Sequence, residues 1–302
     1  MKSFTRTGVV FALPLLITLL LPACAGNFVA RSGSSKAAVG EKKPVVLVVS
    51  FGTSYNDTRA NTIGAIEKAI AAAYPNYEQR QAFTSQIIID KLRKRDGLQI
   101  DNITEAMNRL KADGVKELVV QPTHVMNGLE YDEMQEAIKP FSKDFTKLSY
   151  GLPLLISDSD YTEVVNIITN DTKQYAADDT AVVFMGHGTE HEANATYSKL
   201  DTLLKAKGFS RYIIGTVEAT PSLDDVIAQV DALNVKKVVL FPFMIVAGDH
   251  ANNDMAGDEE DSWKTILESK GYTVRAVLRG LGEYPGIQAM FVRHAGDAIG
   301  NS

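Results

Sequence analysis

Two stretches of this chain align without a gap: Ile103–Pro122 (ITEAMNRLKADGVKELVVQP) and Leu223–Pro242 (LDDVIAQVDALNVKKVVLFP). Each reads as an amphipathic helix, a turn and a strand. Ile103, Ala106, Met107 and Leu110 form the apolar stripe of one copy, and Leu223, Val226, Ile227 and Val230 that of the other. A second pair of segments repeats upstream. Val45–Ser50 (VVLVVS) and Ala181–Met185 (AVVFM) are short β-branched runs, each closed by a glycine-containing turn, Phe51-Gly52-Thr53 in one and Gly186-His187-Gly188-Thr189 in the other. Strands alternating with helices, twice over, restrict the fold to an α/β architecture: two similar domains with mainly parallel sheets flanked by helices, arising from internal duplication. The two segments lie farther apart in the first copy. That copy therefore carries an insertion, assigned to Gln86–Asp101, which would be a helical lid or wall of a cleft or an ordinary surface helix. Further helices are expected over Trp263–Gly271 and around Tyr284–His294.

In parallel sheets of this kind ligands bind beyond the carboxyl ends of the strands. A duplicated fold also contains its own control, because positions that turn reactive in only one copy are candidates for function. Phe51 in the first copy corresponds to His187 in the second, and Glu130 corresponds to His250. His187 is flanked by glycines, which let the backbone turn sharply and leave the ring accessible. His250 stands in a polar, glycine-containing stretch (AGDHANNDM) typical of a binding loop. A lone histidine in such a turn is as often a hydrogen-bonded loop residue, but two at matched rims converge on one cleft and suit a divalent first-row metal. Glu218, after the strand expected at Tyr212–Val217, is the third ligand candidate; the alternative is an acid favoured by the dipole of a following helix. His187, Glu218 and His250 are thus the expected metal ligands, with His187 and His250 also the catalytic candidates.

The chain has three further histidines. His191 would share a helix face with His187 if a helix began there, which Gly188 opposes. His124 follows the strand that ends at Pro122 and has apolar Met244 as its repeat partner; it is a candidate cofactor ligand, for a second metal or the iron of a haem, or else a packed histidine. His294, near the C-terminus, is expected at the surface. The chain has no GxxxxGK[ST] loop, no GxGxxG turn and no GxSxG elbow, which argues against nucleotide use and against an α/β-hydrolase. A net charge of −6 with no basic stripe excludes nucleic acid as an expected partner.

The N-terminal 25 residues read as a secretory signal peptide: Lys2 and Arg6, an apolar run from Val9 to Leu21, then Ala23-Cys24-Ala25. Cleavage before the lone Cys24 would instead allow lipid anchoring. Residues 26–43 read as a flexible leader, 44–150 as an N-terminal α/β domain with the helical insertion, and 151–302 as a C-terminal α/β domain carrying the metal site. The expected location is periplasmic, and a homo-oligomer is the default expectation. An exported two-domain protein with a central cleft also describes a periplasmic receptor that carries a metal or tetrapyrrole without turnover.

The segments Ser50–Ser54 (SFGTS), Pro122–Met134 (PTHVMNGLEYDEM), Met185–His191 (MGHGTEH), Gly215–Ser222 (GTVEATPS) and Phe241–Gly257 (FPFMIVAGDHANNDMAG) resemble the anaerobic cobaltochelatase family CbiK, a class II chelatase family related to the ferrochelatases. The resemblance runs from about Pro44 to Ile299. It implies ATP-independent insertion of Co²⁺, with Fe²⁺ the alternative, into sirohydrochlorin or a related tetrapyrrole. It also implies that the family's metal-binding His, Glu and His fall on His187, Glu218 and His250. Phe51, Tyr55 and Met126 would hold the macrocycle, and a cation such as Arg59 would meet its carboxylates.

Overall fold

The computed structural model describes residues 42–300. The signal peptide, Cys24 and most of the leader lie outside the described residues. The first half runs β1 (Val45–Ser50), α1 (Asn56–Asn61), α2 (Ile63–Ala73), β2 (Glu78–Phe83), α3 (Gln86–Asp96), α4 (Ile103–Ala112), β3 (Glu117–Pro122), α5 (Leu129–Ile138) and β4 (Lys147–Tyr150). The second runs α6 (Asp158–Thr172), β5 (Thr180–Gly186), α7 (Ala195–Ala206), β6 (Tyr212–Thr216), α8 (Leu223–Ala232), β7 (Lys237–Pro242), α9 (Trp263–Ser269), β8 (Thr273–Ala276) and α10 (Pro285–Gly300). Each half forms a four-stranded sheet, ordered β2-β1-β3-β4 and β6-β5-β7-β8, and every pairing is parallel.

The repeat found in the sequence holds to the residue. Helices α4 and α8 begin and end at matching repeat positions, as do strands β3 and β7. Even the helix starts agree. Asn102 caps α4 in a capping box with Glu105, and Ser222 caps α8 in one with Asp225. The insertion of the first copy is helix α3, which has no counterpart between β6 and α8.

Alternation along the strands sorts the core into layers. Val45, Leu47 and Val49 of β1 pack on α4 and α5 through Met107, Leu110 and Met134. In the second half Ala181, Val183 and Met185 of β5 pack on α8 and α9 through Val226, Val230 and Trp263. The opposite faces of both sheets join one shared cluster. It holds Val46 and Val48 of β1, Val182 and Phe184 of β5, and apolar residues of α2, α6, α7 and α10 between them. Burying well over twenty large apolar side chains in one continuous layer ties the halves together, at about 1.5–3 kcal/mol per side chain relative to exposure.

Helix α10 packs back on α2, β3 and β4 of the first half. His294 is not a surface residue. It is 3% exposed, on the α10 stripe Ile287, Met290, Phe291, His294, Ala295 and Ala298. Its Nδ1 lies 3.2 Å from the carbonyl of Leu152, and its Nε2 lies 3.3 Å from Asp160 Oδ1.

Candidate metal centre

In each sheet the strand order reverses direction beside the first strand, between β1 and β3 and between β5 and β7. Loops leaving these neighbouring strands diverge and open a crevice at their carboxyl ends. A cavity of about 420 Å³ lies there, lined by residues following β1 and β3 in one half and β5 and β7 in the other.

His187 is the residue directly after β5. Its loop is joined to the one after β6, because Val217 N–H donates to Gly186 O (3.0 Å) and Glu218 N–H donates to His187 O (2.9 Å). These bonds continue the sheet one step past its end and carry Glu218 beside His187, with Nδ1 and Oε2 3.7 Å apart. Gly188 turns the chain away at φ +90°, where a side chain is strained; a Cβ there would stand 2.8 Å from Ala219 N. His187 Nδ1 lies 2.8 Å from the carbonyl of Gly188. A carbonyl only accepts, so Nδ1 carries the proton and Nε2 keeps its lone pair for a metal.

His250 arrives from the other side of the crevice, at the start of a helical turn whose residues 251–255 are wound as a π-helix. This winding sets Asp254 against the imidazole, with Oδ2 2.6 Å from Nδ1. An ionised carboxylate is again acceptor only, so here too Nε2 is the free nitrogen. The two imidazoles stand edge to face, ring centres 4.5 Å apart. One ligand atom from each of His187, Glu218 and His250 can be chosen so that all lie within 4.8 Å of one another. Donors around a first-row ion sit at about 2.0–2.2 Å from it, so small side-chain rotations would close the three onto one ion. All three side chains are partly exposed, so further ligands can reach an ion held between them.

Glu218 is not the first-turn acid of α8. Ser222 caps that helix, and Asp224 and Asp225 fill its first turn. His191 is not brought to the cluster. The chain after Gly188 is not α-helical; His191 Nδ1 accepts from Ala193 N–H (3.0 Å) while Nε2 faces Asp132 Oδ2 of α5 at 3.4 Å. His124 does line the cavity, but both ring nitrogens are buried and have no hydrogen-bond partner among the described residues. Burial pushes its pKa down to about 4, so the ring is neutral near pH 7. An external ligand at His124 would require that ring to turn first.

Phe51, Tyr55 and Met126 all line the cavity, as does Glu130, the repeat partner of His250. Tyr55 reaches across the crevice, its hydroxyl 3.4 Å from Asp249 Oδ1. Arg59 is not among the lining residues; its guanidinium is turned to Asn56 Oδ1 (3.0 Å). Three contributors escaped the sequence reading. Asp254 lies four residues after His250, a spacing that signals a shared helical face had that stretch been read as helix. Tyr197 packs against Gly186, where a Cβ would overlap its ring, and receives Gly188 N–H. Burial pushes the Tyr197 phenol up to about 12, so it stays protonated. The third is Lys91 of α3.

The family model described as Cobalt chelatase (CbiK) matches residues 44–300. A sirohydrochlorin cobaltochelatase of Salmonella typhimurium is 42% identical over 257 residues, covering 85% of this chain and 97% of that protein. The sirohydrochlorin cobaltochelatase CbiKC of Nitratidesulfovibrio vulgaris is 30% identical over 262 residues, covering 85% of this chain and 91% of that protein. Among solved structures, SirB from Bacillus subtilis with Fe³⁺ superposes with a TM-score of 0.60 at 16% identity, covering 86% of this chain and 97% of that one. At that identity the likeness concerns the fold.

Proposed function

This chain belongs to the CbiK family of cobalt chelatases, and we propose that it inserts Co²⁺ into sirohydrochlorin without ATP, through a site made of His187, Glu218 and His250. One observation supports the site above all: two imidazoles that line one cavity and a carboxylate from a third loop stand close enough together to share an ion. The ion is a substrate. It is held by Nε2 of the two histidines and by the Glu218 carboxylate, a donor set that suits Co²⁺ or Fe²⁺ and satisfies neither completely. Incomplete coordination serves transfer, because an ion bound too tightly could not leave for the ring nitrogens.

As the divalent ion enters the macrocycle, two pyrrole N–H protons leave, so charge balances. A histidine released from the metal has a free Nε2 lone pair and can take one of them. Water or Glu218 receives the other. The apolar lining, with Phe51 and Met126, suits the flat face of a tetrapyrrole.

The test is an absorption assay with free sirohydrochlorin and either Co²⁺ or Fe²⁺, on the mature chain. Repeated turnover supports an enzyme. A single stoichiometric complex would mean a carrier instead. Loss of turnover in His187→Ala and His250→Ala, with thermal melting retained, is the expected result; wild-type rates in either would remove that residue from the mechanism. A haem on His124 would show its own strong visible band in the purified protein. We further propose export to the periplasm on the strength of Lys2, Arg6 and the Val9–Leu21 run. N-terminal sequencing of the periplasmic and membrane fractions separates a soluble form from one lipidated on Cys24. Sedimentation measures whether the chain forms the homo-oligomer expected by default.

A further inference from the structure

Helix α3 is the part of the first half that the second half lacks, and it forms one wall of the cavity. It is a well-defined helix. Ser85 caps its start by accepting Ile88 N–H, and Gly97 ends it at φ +69°. Ile89 and Leu92 anchor it, fully buried against Phe83, Ile63 and Ile100. Another face looks into the cavity, through Ile87, Ile88 and Lys91. Ile87 and Lys91 are four apart and so lie one above the other on the helix.

Both are unusual where they stand. Ile87 is 80% exposed, and Phe51 on the same cavity is 52% exposed. Lys91 is the one Lys or Arg among the described residues lining the cavity, and it has no hydrogen-bond or ion-pair partner among the described residues. Its neighbours on the helix are engaged: Arg93 faces Asp90 at 3.8 Å, and Arg95 is bonded to Asp96 and to Ser54 O. An uncovered aliphatic surface beside an uncommitted ammonium matches a ligand that is apolar in its plane and anionic at its edge.

We propose that α3 selects the tetrapyrrole by its periphery: Ile87 covers apolar ring surface, and Lys91 Nζ pairs with a peripheral carboxylate. The inference rests on the chelatase reading and names a positioning residue for that substrate. An exposed ion pair contributes little, but one covered by a bound macrocycle is partly desolvated and contributes more.

The experiment titrates metal-free sirohydrochlorin and its methyl ester into the full chain, followed by absorption and fluorescence. Lys91→Ala should weaken binding of the free acid about fivefold and Lys91→Glu further, while Lys91→Arg stays within about twofold of wild type. All should bind the ester alike. Ile87→Ser should weaken acid and ester equally. In turnover, Lys91→Ala should raise KM with much less effect on kcat, and its Co²⁺ affinity should equal wild type. Acid binding unchanged in both Lys91→Ala and Lys91→Glu overturns the proposal, and so does an equal loss of acid and ester in Lys91→Ala. If wild-type protein neither binds sirohydrochlorin nor metallates it, the chelatase reading itself fails, and the wild-type titration alone reveals that.

Discussion

Asp254→Ala should weaken Co²⁺ binding without unfolding the protein. The carboxylate sits 2.6 Å from His250 Nδ1 and would do two things for a metal bound there. It accepts the Nδ1 proton, which keeps the lone pair on Nε2, and it places a negative charge behind the ring. Through the imidazole that charge would lie roughly 6 Å from an ion on Nε2. With the His250 and Asp254 side chains 34% and 44% exposed, a near-aqueous dielectric applies, and attraction to a divalent ion comes to about 1.4 kcal/mol. That is about tenfold in affinity, and loss of the tautomer preference adds to it, within the tenfold to hundredfold range typical of such partners. Asp254→Asn keeps an acceptor oxygen but not the charge, so its loss should fall at the lower end. Calorimetric titration of Co²⁺ into metal-free protein measures both, and the visible d–d band of the bound ion reports the coordination. Wild-type affinity in Asp254→Ala would refute the claim that this contact orients the ligand.

Glu67 of α2 has a buried carboxyl oxygen without a partner among the described residues, and burial pushes its pKa from 4.5 up to about 7. Between those values the folded chain holds a proton that the unfolded chain has released, so wild-type stability falls as pH rises from 4.5 to 7. Urea unfolding should find Glu67→Gln more stable than wild type at pH 8, by about 3 kcal/mol at most, with the gain gone below pH 4.5; a gain that does not change with pH would refute this. Gly188→Ala forces a Cβ toward Ala219 N at φ +90°, next to Glu218. It should cost about 1–3 kcal/mol in the same unfolding assay and lower Co²⁺ affinity, and a variant matching wild type in both would show that the loop yields freely.

The duplicated helix–turn–strand segment was legible because it depends on local periodicity alone. The apolar stripe Ile103, Ala106, Met107 and Leu110 marks the buried face of α4 whatever it packs on. Comparing the copies also brought out His187 and His250, and the place of Glu218 after its strand added the third, because the loops after parallel strands are where chemistry collects. His124 attracted attention by the same logic, yet its nitrogens are turned into the protein, a matter of side-chain direction that strand order does not specify. His294 misleads for the opposite reason: nearness to the C-terminus suggests exposure, while its place on the buried stripe of α10 puts it inside.

From sequence alone, then, come the α/β class, the repeat, the inserted helix and the three residues at the rims, all set by short-range patterns and by the parallel-sheet rule. Tertiary structure decided the rest. It returned α10 to the first sheet, merged two halves over one shared core, swung Asp254 under His250 through a π turn, and put Lys91 rather than Arg59 on the cavity wall. Apart from the local His250–Asp254 pair, whose contact depends on how its turn is wound, each of these depends on where two distant segments meet and how their side chains point when they do, and periodicity along one segment carries no information about the other.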